Sequence, residues 1–164
     1  MILENPSNYV HGQTSTPLST IFFTNLNLVA SNPVVSVTAS PSAVNENSGT
    51  GMVYTFSLSA TATSNITVNF SVGGTATFGS DYSQSGAASF NASAGTVTIL
   101  NGSNSASITL NPTGDSTLEA NETIQLTLSA GSGYVAGSPG AATTTINNDD
   151  TLTITPIVAV TGVN

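Results

Sequence analysis

Apolar and polar side chains alternate through most of the sequence between Val34 and Ile146, and this period of two residues most constrains the fold. In residues 52–58 (MVYTFSL), for example, every second side chain is large and apolar. Strands with one apolar face and one hydroxyl-bearing face are typical of antiparallel sheets that are buried on one side. No segment shows a convincing helical period. The alternation therefore predicts an all-β protein.

Several segments with this period are separated by turn signals such as Gly73-Gly74 and Asn101-Gly102. The predicted strands lie at residues 34–38, 52–58, 66–72, 97–99, 106–110, 124–128 and 142–146. The spacing of the turn signals fits a β-sandwich. The prediction is an antiparallel immunoglobulin-like β-sandwich of about seven strands, with strand-like extensions at its N- and C-terminal ends.

Charged side chains are unusually scarce, and all of them are acidic. They make up 5% of the residues, with eight Asp and Glu, no Lys or Arg, and a net charge of −8, whereas an ordinary domain has about 25%. Without cationic side chains, nucleic acids and anionic membranes are excluded as direct partners, and no direct membrane insertion is expected. The absence of cysteine also excludes disulfides and thiol chemistry.

Three of the eight acids, Asp115, Glu119 and Glu122, lie in one short segment, residues 115–122 (DSTLEANE). Carboxylates that gather without a cationic partner repel one another unless a hard cation lies between them. Oxygen-only ligands of this kind suit Ca²⁺, which takes 6–8 oxygens in flexible geometry. The alternative is a solvated acidic turn that precedes a strand.

Four motifs carry a resemblance to a known family. They are Glu46 after the first strand, residues 74–82 (GTATFGSDY), residues 115–122, and the closing residues 146–150 (INNDD). Together they make residues 34–150 resemble a Calx-β domain, the calcium-binding β-sandwich module of sodium–calcium exchangers and many bacterial surface proteins. The resemblance does not extend to residues 1–33 or 151–164.

The resemblance implies that the acids at matching positions cluster at one end of the sandwich and hold Ca²⁺. The candidate metal ligands are Glu46, Asp81, Asp115, Glu119, Glu122, Asp149 and Asp150. Of these, we expect Glu46, Asp81, Glu119 and Asp149 to converge on shared ions. Gly114, Asn147 and Asn148 stand where the family often has further acids, so we expect fewer or weaker sites than in the fullest members.

The segments on either side of the sandwich are strand-like and apolar. Residues 1–33 contain a strongly apolar stretch at 18–30, and residues 151–164 begin with Leu152-Thr-Ile154. One interpretation is that these segments add to a sheet edge of another molecule as donor strands. The other is that residues 151–164 begin a further repeat of a longer polypeptide.

These features favour a non-enzymatic function. General acid–base or nucleophilic chemistry usually needs a His, Lys or Cys, and the only histidine, His11, is far in sequence from the acids. We expect an extracellular or cell-surface structural protein, a homo-oligomer that assembles head to tail into a filament or surface layer. The alternative is a calcium-dependent adhesin module of a larger tandem-repeat protein, with a glycan or cell-surface partner.

Overall fold

A computed structural model describes residues 31–152 and residue 154. Within these residues there are eleven strands and one 3₁₀ turn, Glu46–Ser48. The strands are β1 (Val34–Ser40), β2 (Ala43–Asn45), β3 (Met52–Leu58), β4 (Ile66–Gly74), β5 (Tyr82–Ser85), β6 (Ser89–Phe90), β7 (Ala94–Ile99), β8 (Ser105–Pro112), β9 (Glu122–Leu128), β10 (Val135–Ala136) and β11 (Ala141–Asn147).

The strands form two sheets of a sandwich, as the alternation predicts, and the all-β prediction is confirmed. One sheet has the order β10-β1-β3-β8-β5 and the other has the order β2-β11-β9-β4-β7-β6. Most neighbouring strands are antiparallel, whereas β1 pairs with β10, and β2 with β11, in parallel. The predicted extensions lie almost wholly outside the described residues. Of the C-terminal extension, the structure describes Thr151, Leu152 and Ile154, which belong to no strand.

The apolar side chains that alternate along the strands form one core between the sheets. In β3 the side chains of Met52, Tyr54 and Phe56 are fully buried, and those between them face outward. Burial of each such side chain contributes about 1.5–3 kcal/mol to folding. The Tyr54 hydroxyl stays satisfied inside the core because it donates to the Ile124 carbonyl oxygen (2.9 Å) and contacts the Thr144 hydroxyl (2.7 Å).

Four short strands, β2, β5, β6 and β10, add to the seven predicted ones. They have two to four residues each, and each forms one of the four edges of the two sheets. Short edge strands leave few unpaired backbone groups exposed, which limits edge-to-edge aggregation. The four sheet edges are therefore poor templates for pairing with a strand of another molecule.

The chain changes sheets between β1 and β2, and this change positions the first acidic residue. β1 ends at Ser40 in one sheet, and β2 begins at Ala43 in the other. β2 then runs parallel to the end of β11, with Asn45 opposite Asn147. Since Glu46 follows β2 directly, it lies beside the acids that follow β11.

The two ends of the sandwich differ in the segments that they carry. At one end, β2, β4, β8 and β11 end and β3 and β9 begin; at the other, β1, β4 and β11 begin and β3 and β7 end. The chain thus enters the sandwich at one end, at β1, and leaves it at the other, after β11.

Candidate metal centre

The acids of the described chain gather at the end where β11 finishes, and we call this end the acidic pole. Its carboxylates are those of Glu46, Asp81, Asp115, Glu119, Glu122, Asp149 and Asp150. One cavity at this pole is lined by Glu46, Asp81, Thr113, Asp115, Glu119, Ala120, Glu122, Ile146 and Asn148. The acids come from four separate segments that the sandwich topology brings together.

The first cluster comprises Glu46, Asp115 and Asp150. One carboxylate oxygen of each lies within 4.8 Å of the others. Glu46 is the most buried of the three, at 7% exposed. Burial raises the pKa of its carboxyl, and so do the charges of Asp150 and Asp115, whereas a hydrogen bond from the Asp149 N–H opposes the shift. The cluster gathers negative charge, and none of the described residues carries a cationic side chain.

The second cluster comprises Asp81, Glu119 and Glu122, whose ligand atoms also lie within 4.8 Å of one another. The loop between β4 and β5 fixes Asp81, because its carboxylate accepts a hydrogen bond from the Thr77 N–H. Its backbone carbonyl oxygen accepts another from the N–H of Thr113 after β8 (2.9 Å). Glu122 is the first residue of β9, and Glu119 precedes it in the loop that follows β8.

Burial and neighbouring carboxylates perturb Glu122 in the second cluster. Burial is the largest cause that raises its pKa, followed by a hydrogen bond and charge repulsion from Asp81 and the charges of Glu119 and Glu46. Together they bring the pKa of Glu122 to about 7 from an ordinary 4.5. Burial and the neighbouring charges therefore favour the protonated form of Glu122 in the metal-free protein.

The structure divides the predicted ligands differently from the sequence-based expectation. Glu46 lies in one cluster, Asp81 and Glu119 lie in the other, and Asp149 lies in neither. The exposed carboxylate of Asp149 instead accepts a hydrogen bond from the Asn47 side-chain amide (2.8 Å). The acids thus share one pole, and six of them form two clusters.

Two asparagines hold the pole together, and sequence reasoning missed their role. The sequence assigns no role to Asn47, and its position directly after Glu46 is the only signal that could have indicated one. Asn148 donates its side-chain amide to the Glu119 carbonyl oxygen (2.6 Å), and its side-chain oxygen accepts from the N–H of Asp150 (2.7 Å). Neutral amides therefore connect the segments that carry the carboxylates.

The donor set at this pole fits a hard divalent cation. Both clusters offer only oxygen atoms, and their spacing suits ligands that share one ion with bonds of about 2.4 Å. One oxygen of Asp150, Oδ2, is buried and has no hydrogen-bond partner among the residues that the structure describes. A buried carboxylate oxygen without a partner is costly in a metal-free protein. A bound cation would satisfy it, with Glu46, Asp115 and Asp150 as ligands of one ion and Asp81, Glu119 and Glu122 as ligands of another.

We expect calcium affinity to rise with pH because Ca²⁺ must displace the proton on Glu122. Below the pKa of about 7, the apparent affinity should fall by about tenfold per pH unit, and it should level off above about pH 8. The stability of the metal-free protein depends on pH in the opposite direction, and decreases as pH rises. The stability that protonated Glu122 contributes is full below its unfolded pKa of about 4.5 and is lost as pH rises through about 7.

Isothermal titration calorimetry from pH 5.5 to pH 8.5 measures this dependence. The variant Glu122→Gln is the control, since it lacks the titrating group and should show a flatter profile with weaker binding at the second cluster. An affinity that does not change over this range in the unaltered protein would contradict the assignment of Glu122 to a calcium site.

The fold and the acidic pole define a class of protein, a β-sandwich module that binds cations through carboxylate oxygens. Comparison with known proteins agrees with this class. The family model described as Calx-beta domain matches residues 30–150. A comparison with curated proteins gave no match.

Three solved structures share the fold. They are CBD12 from CALX1.2 (TM-score 0.55), the apo-form Calx CBD1 domain (0.52) and the calcium binding domain CBD12 of CALX1.1 (0.52), each 19% identical in sequence. The matches cover 71%, 71% and 70% of this chain and 46%, 98% and 44% of the respective structures. The chain therefore spans less than half of either CBD12 structure and almost all of the CBD1 domain.

The chain belongs to the Calx-beta domain family. Calx-beta domains bind Ca²⁺, and the two acidic clusters of this chain could hold such ions. These domains are regulatory calcium-binding modules rather than catalytic ones. Among the described residues, the structure has no helix that is long and apolar enough to cross a membrane.

Proposed function

We propose that this protein is a structural subunit that Ca²⁺ stabilises and that assembles head to tail, outside the cell or on its surface, into a filament or surface layer. The observation that supports the proposal best is the position of the two chain ends of the sandwich. The chain enters at the end opposite the acidic pole and leaves directly after Asp150. Successive units can therefore follow one another in line.

The position of the acids relative to the exit supports a role for calcium in this arrangement. Asp149 and Asp150 are the last acids before the chain leaves the sandwich, and Asp150 belongs to the first cluster. An ion held by Glu46, Asp115 and Asp150 would fix the direction in which the chain leaves. Calcium would then stiffen the connection to whatever follows.

The outward faces of the central strands are uncharged, which supports contact between neighbouring subunits along their sides. The outward-facing residues of the central strands β3 and β8 carry mostly hydroxyl groups, as at Thr55 and Ser107, which contact each other at 3.1 Å. Together with the absence of Lys and Arg, this leaves the charge of the described chain concentrated at one pole. Copies of such a subunit do not repel one another along their sides.

The second candidate function is a calcium-dependent adhesin module within a larger tandem-repeat protein. The same opposite placement of the chain ends supports it, because modules in tandem also need an entrance and an exit at opposite poles. Under this alternative, residues 151–164 begin another module, and the partner is a glycan or a cell surface. The two candidates differ in whether the isolated chain associates with itself.

Light scattering of the full chain with and without Ca²⁺ tests the proposal, and a chain that begins at Asn32 is the matched comparison. We choose this start because the Pro33 carbonyl oxygen accepts a hydrogen bond from the Val135 N–H (2.9 Å) and should be kept. We expect the full chain to form particles many times the mass of one chain, and the shortened chain to remain smaller. A monomeric full chain at high protein concentration would favour the adhesin module.

A further inference from the structure

Asp149 and Asp150 are consecutive carboxylates, but only one of them faces the first cluster. A carboxylate oxygen of Asp150 lies within 4.8 Å of those of Glu46 and Asp115, and its Oδ2 atom is buried without a hydrogen-bond partner in the described part of the chain. Asp149 is exposed. The backbone conformation of this short segment after β11 therefore decides which carboxylate reaches the cluster.

Asn47 contacts this segment from the 3₁₀ turn that carries Glu46. Its side-chain amide donates to Asp149 Oδ1 (2.8 Å) and reaches the Asp115 carbonyl oxygen (3.5 Å). The N–H of Asp149 in turn lies 3.4 Å from Glu46 Oε1. One neutral side chain thus connects the three segments that supply the ligands of the first cluster, without being a ligand itself.

Gly114 makes room for Asn47 in this position. A Cβ atom on residue 114 would lie 1.8 Å from Asn47 Oδ1 and 3.1 Å from its Cα atom. Any larger residue at position 114 would therefore displace the amide from Asp149 and Asp115. Gly114 stands where the family often has an acid, and the Asn47 side chain occupies the space that such a residue would need.

We infer that Asn47 is a positioning residue that selects Asp150, rather than Asp149, as the carboxylate of the first metal centre. By holding Asp149 on the outside, it keeps the following residue turned toward Glu46 and Asp115. The inference rests on the proposed binding of Ca²⁺ at this pole. Asn47 would thus determine which of two chemically identical carboxylates, those of Asp149 and Asp150, faces the first cluster.

The test measures Ca²⁺ binding by isothermal titration calorimetry in the full chain carrying Glu119→Gln, which weakens the second cluster and leaves the first to be observed. Asn47→Ala is expected to lower the affinity of the first cluster by about tenfold, since partners that orient ligands usually affect affinity by 10–100-fold. Gly114→Ala should have a similar effect, because it displaces the same amide without deleting it. Asn45→Ala is the matched control, since Asn45 lies two residues away and bonds only to Asn147 among the side chains.

Substitution of Asp149 and Asp150 distinguishes the proposed selection of Asp150 by Asn47 from a general loss of structure. Asp150→Asn should remove binding at the first cluster, whereas Asp149→Ala, which removes the acceptor of the Asn47 amide, should weaken it about as much as Asn47→Ala does. The double variant Asn47→Ala/Asp149→Ala should be no weaker than either single variant, because the two residues act through one contact. In the metal-free protein, Asn47→Ala should lower the unfolding midpoint no more than Asn45→Ala does.

Three results would overturn the inference. They are equal affinities for Asn47→Ala and the unaltered first cluster, additive effects in the double variant, and equal weakening of both clusters by Asn47→Ala with a large loss of metal-free stability. If the unaltered chain binds no Ca²⁺, the proposed function fails as well. If it binds but Asn47→Ala binds equally well, the inference alone fails.

Discussion

Saturating Ca²⁺ is expected to raise the midpoint of thermal unfolding by about 20 °C. A ligand at a hundredfold over its dissociation constant adds about 2.7 kcal/mol per site, and the acidic pole has two clusters. In a domain of this size each kcal/mol corresponds to roughly 3–5 °C. The physical source is the removal of carboxylate repulsion that no Lys or Arg of this chain can relieve. Differential scanning calorimetry in Ca²⁺ and then in excess chelator measures the shift.

The double variant Glu46→Gln/Glu122→Gln is the control for the calcium shift. It removes one ligand from each cluster, so the midpoint should respond little to Ca²⁺. In chelator its midpoint should be above that of the unaltered protein, because two buried or partly buried carboxylates no longer repel their neighbours. A midpoint of the unaltered protein that is the same in Ca²⁺ and in chelator would refute the calcium assignment.

The second large effect is expected in the core, where Phe70→Ala should reduce the free energy of unfolding by about 3–5 kcal/mol. Phe70 is 1% exposed, and its ring packs against Phe56 (5.2 Å between centroids) and Phe90 (5.9 Å). Gly95 on the neighbouring strand allows this packing, since a Cβ atom there would lie 2.5 Å from the Phe70 ring. Removal of the ring would leave a cavity that these neighbours cannot fill.

Urea denaturation in the presence of chelator measures this loss separately from calcium binding. Leu100→Ala is the matched control, because Leu100 is 58% exposed and its substitution should change the free energy of unfolding by less than about 0.5 kcal/mol. Similar losses in the two variants would mean that Phe70 is not part of a packed core.

The alternation of side chains was sufficient to predict the seven long strands but not the four short ones. β6 and β10 have two residues each, which is too few for any period to be recognised. The backbone of a longer neighbour fixes their positions, as when the N–H of Gly137 donates to the Val35 carbonyl oxygen (2.7 Å). Such pairing depends on contacts between residues far apart in sequence, and it has no local signature.

The composition of the acidic pole was predictable in part. Scarce charge and the family resemblance together pointed to the acids, and the structure brings these residues to one end of the sandwich. Their division into two clusters was not predictable, since it depends on β2, a strand that the sequence did not reveal, which carries Glu46 to β11. The hydrogen bond between Asn47 and Asp149 was not predictable either, because Asn47 is a neutral side chain 102 residues away in sequence.

The parallel pairing of β2 with β11 has a mechanical consequence. β2 follows the strand by which the chain enters at one pole, and β11 precedes the exit at the other. Tension applied to the two ends of the module would therefore pull β2 and β11 in opposite directions along their length, so that their hydrogen bonds carry the load together instead of opening one after another. The first acidic cluster lies directly beyond this pair, with Glu46 after β2 and Asp150 after β11. An ion bound there would link the ends of β2 and β11 and resist their sliding past each other.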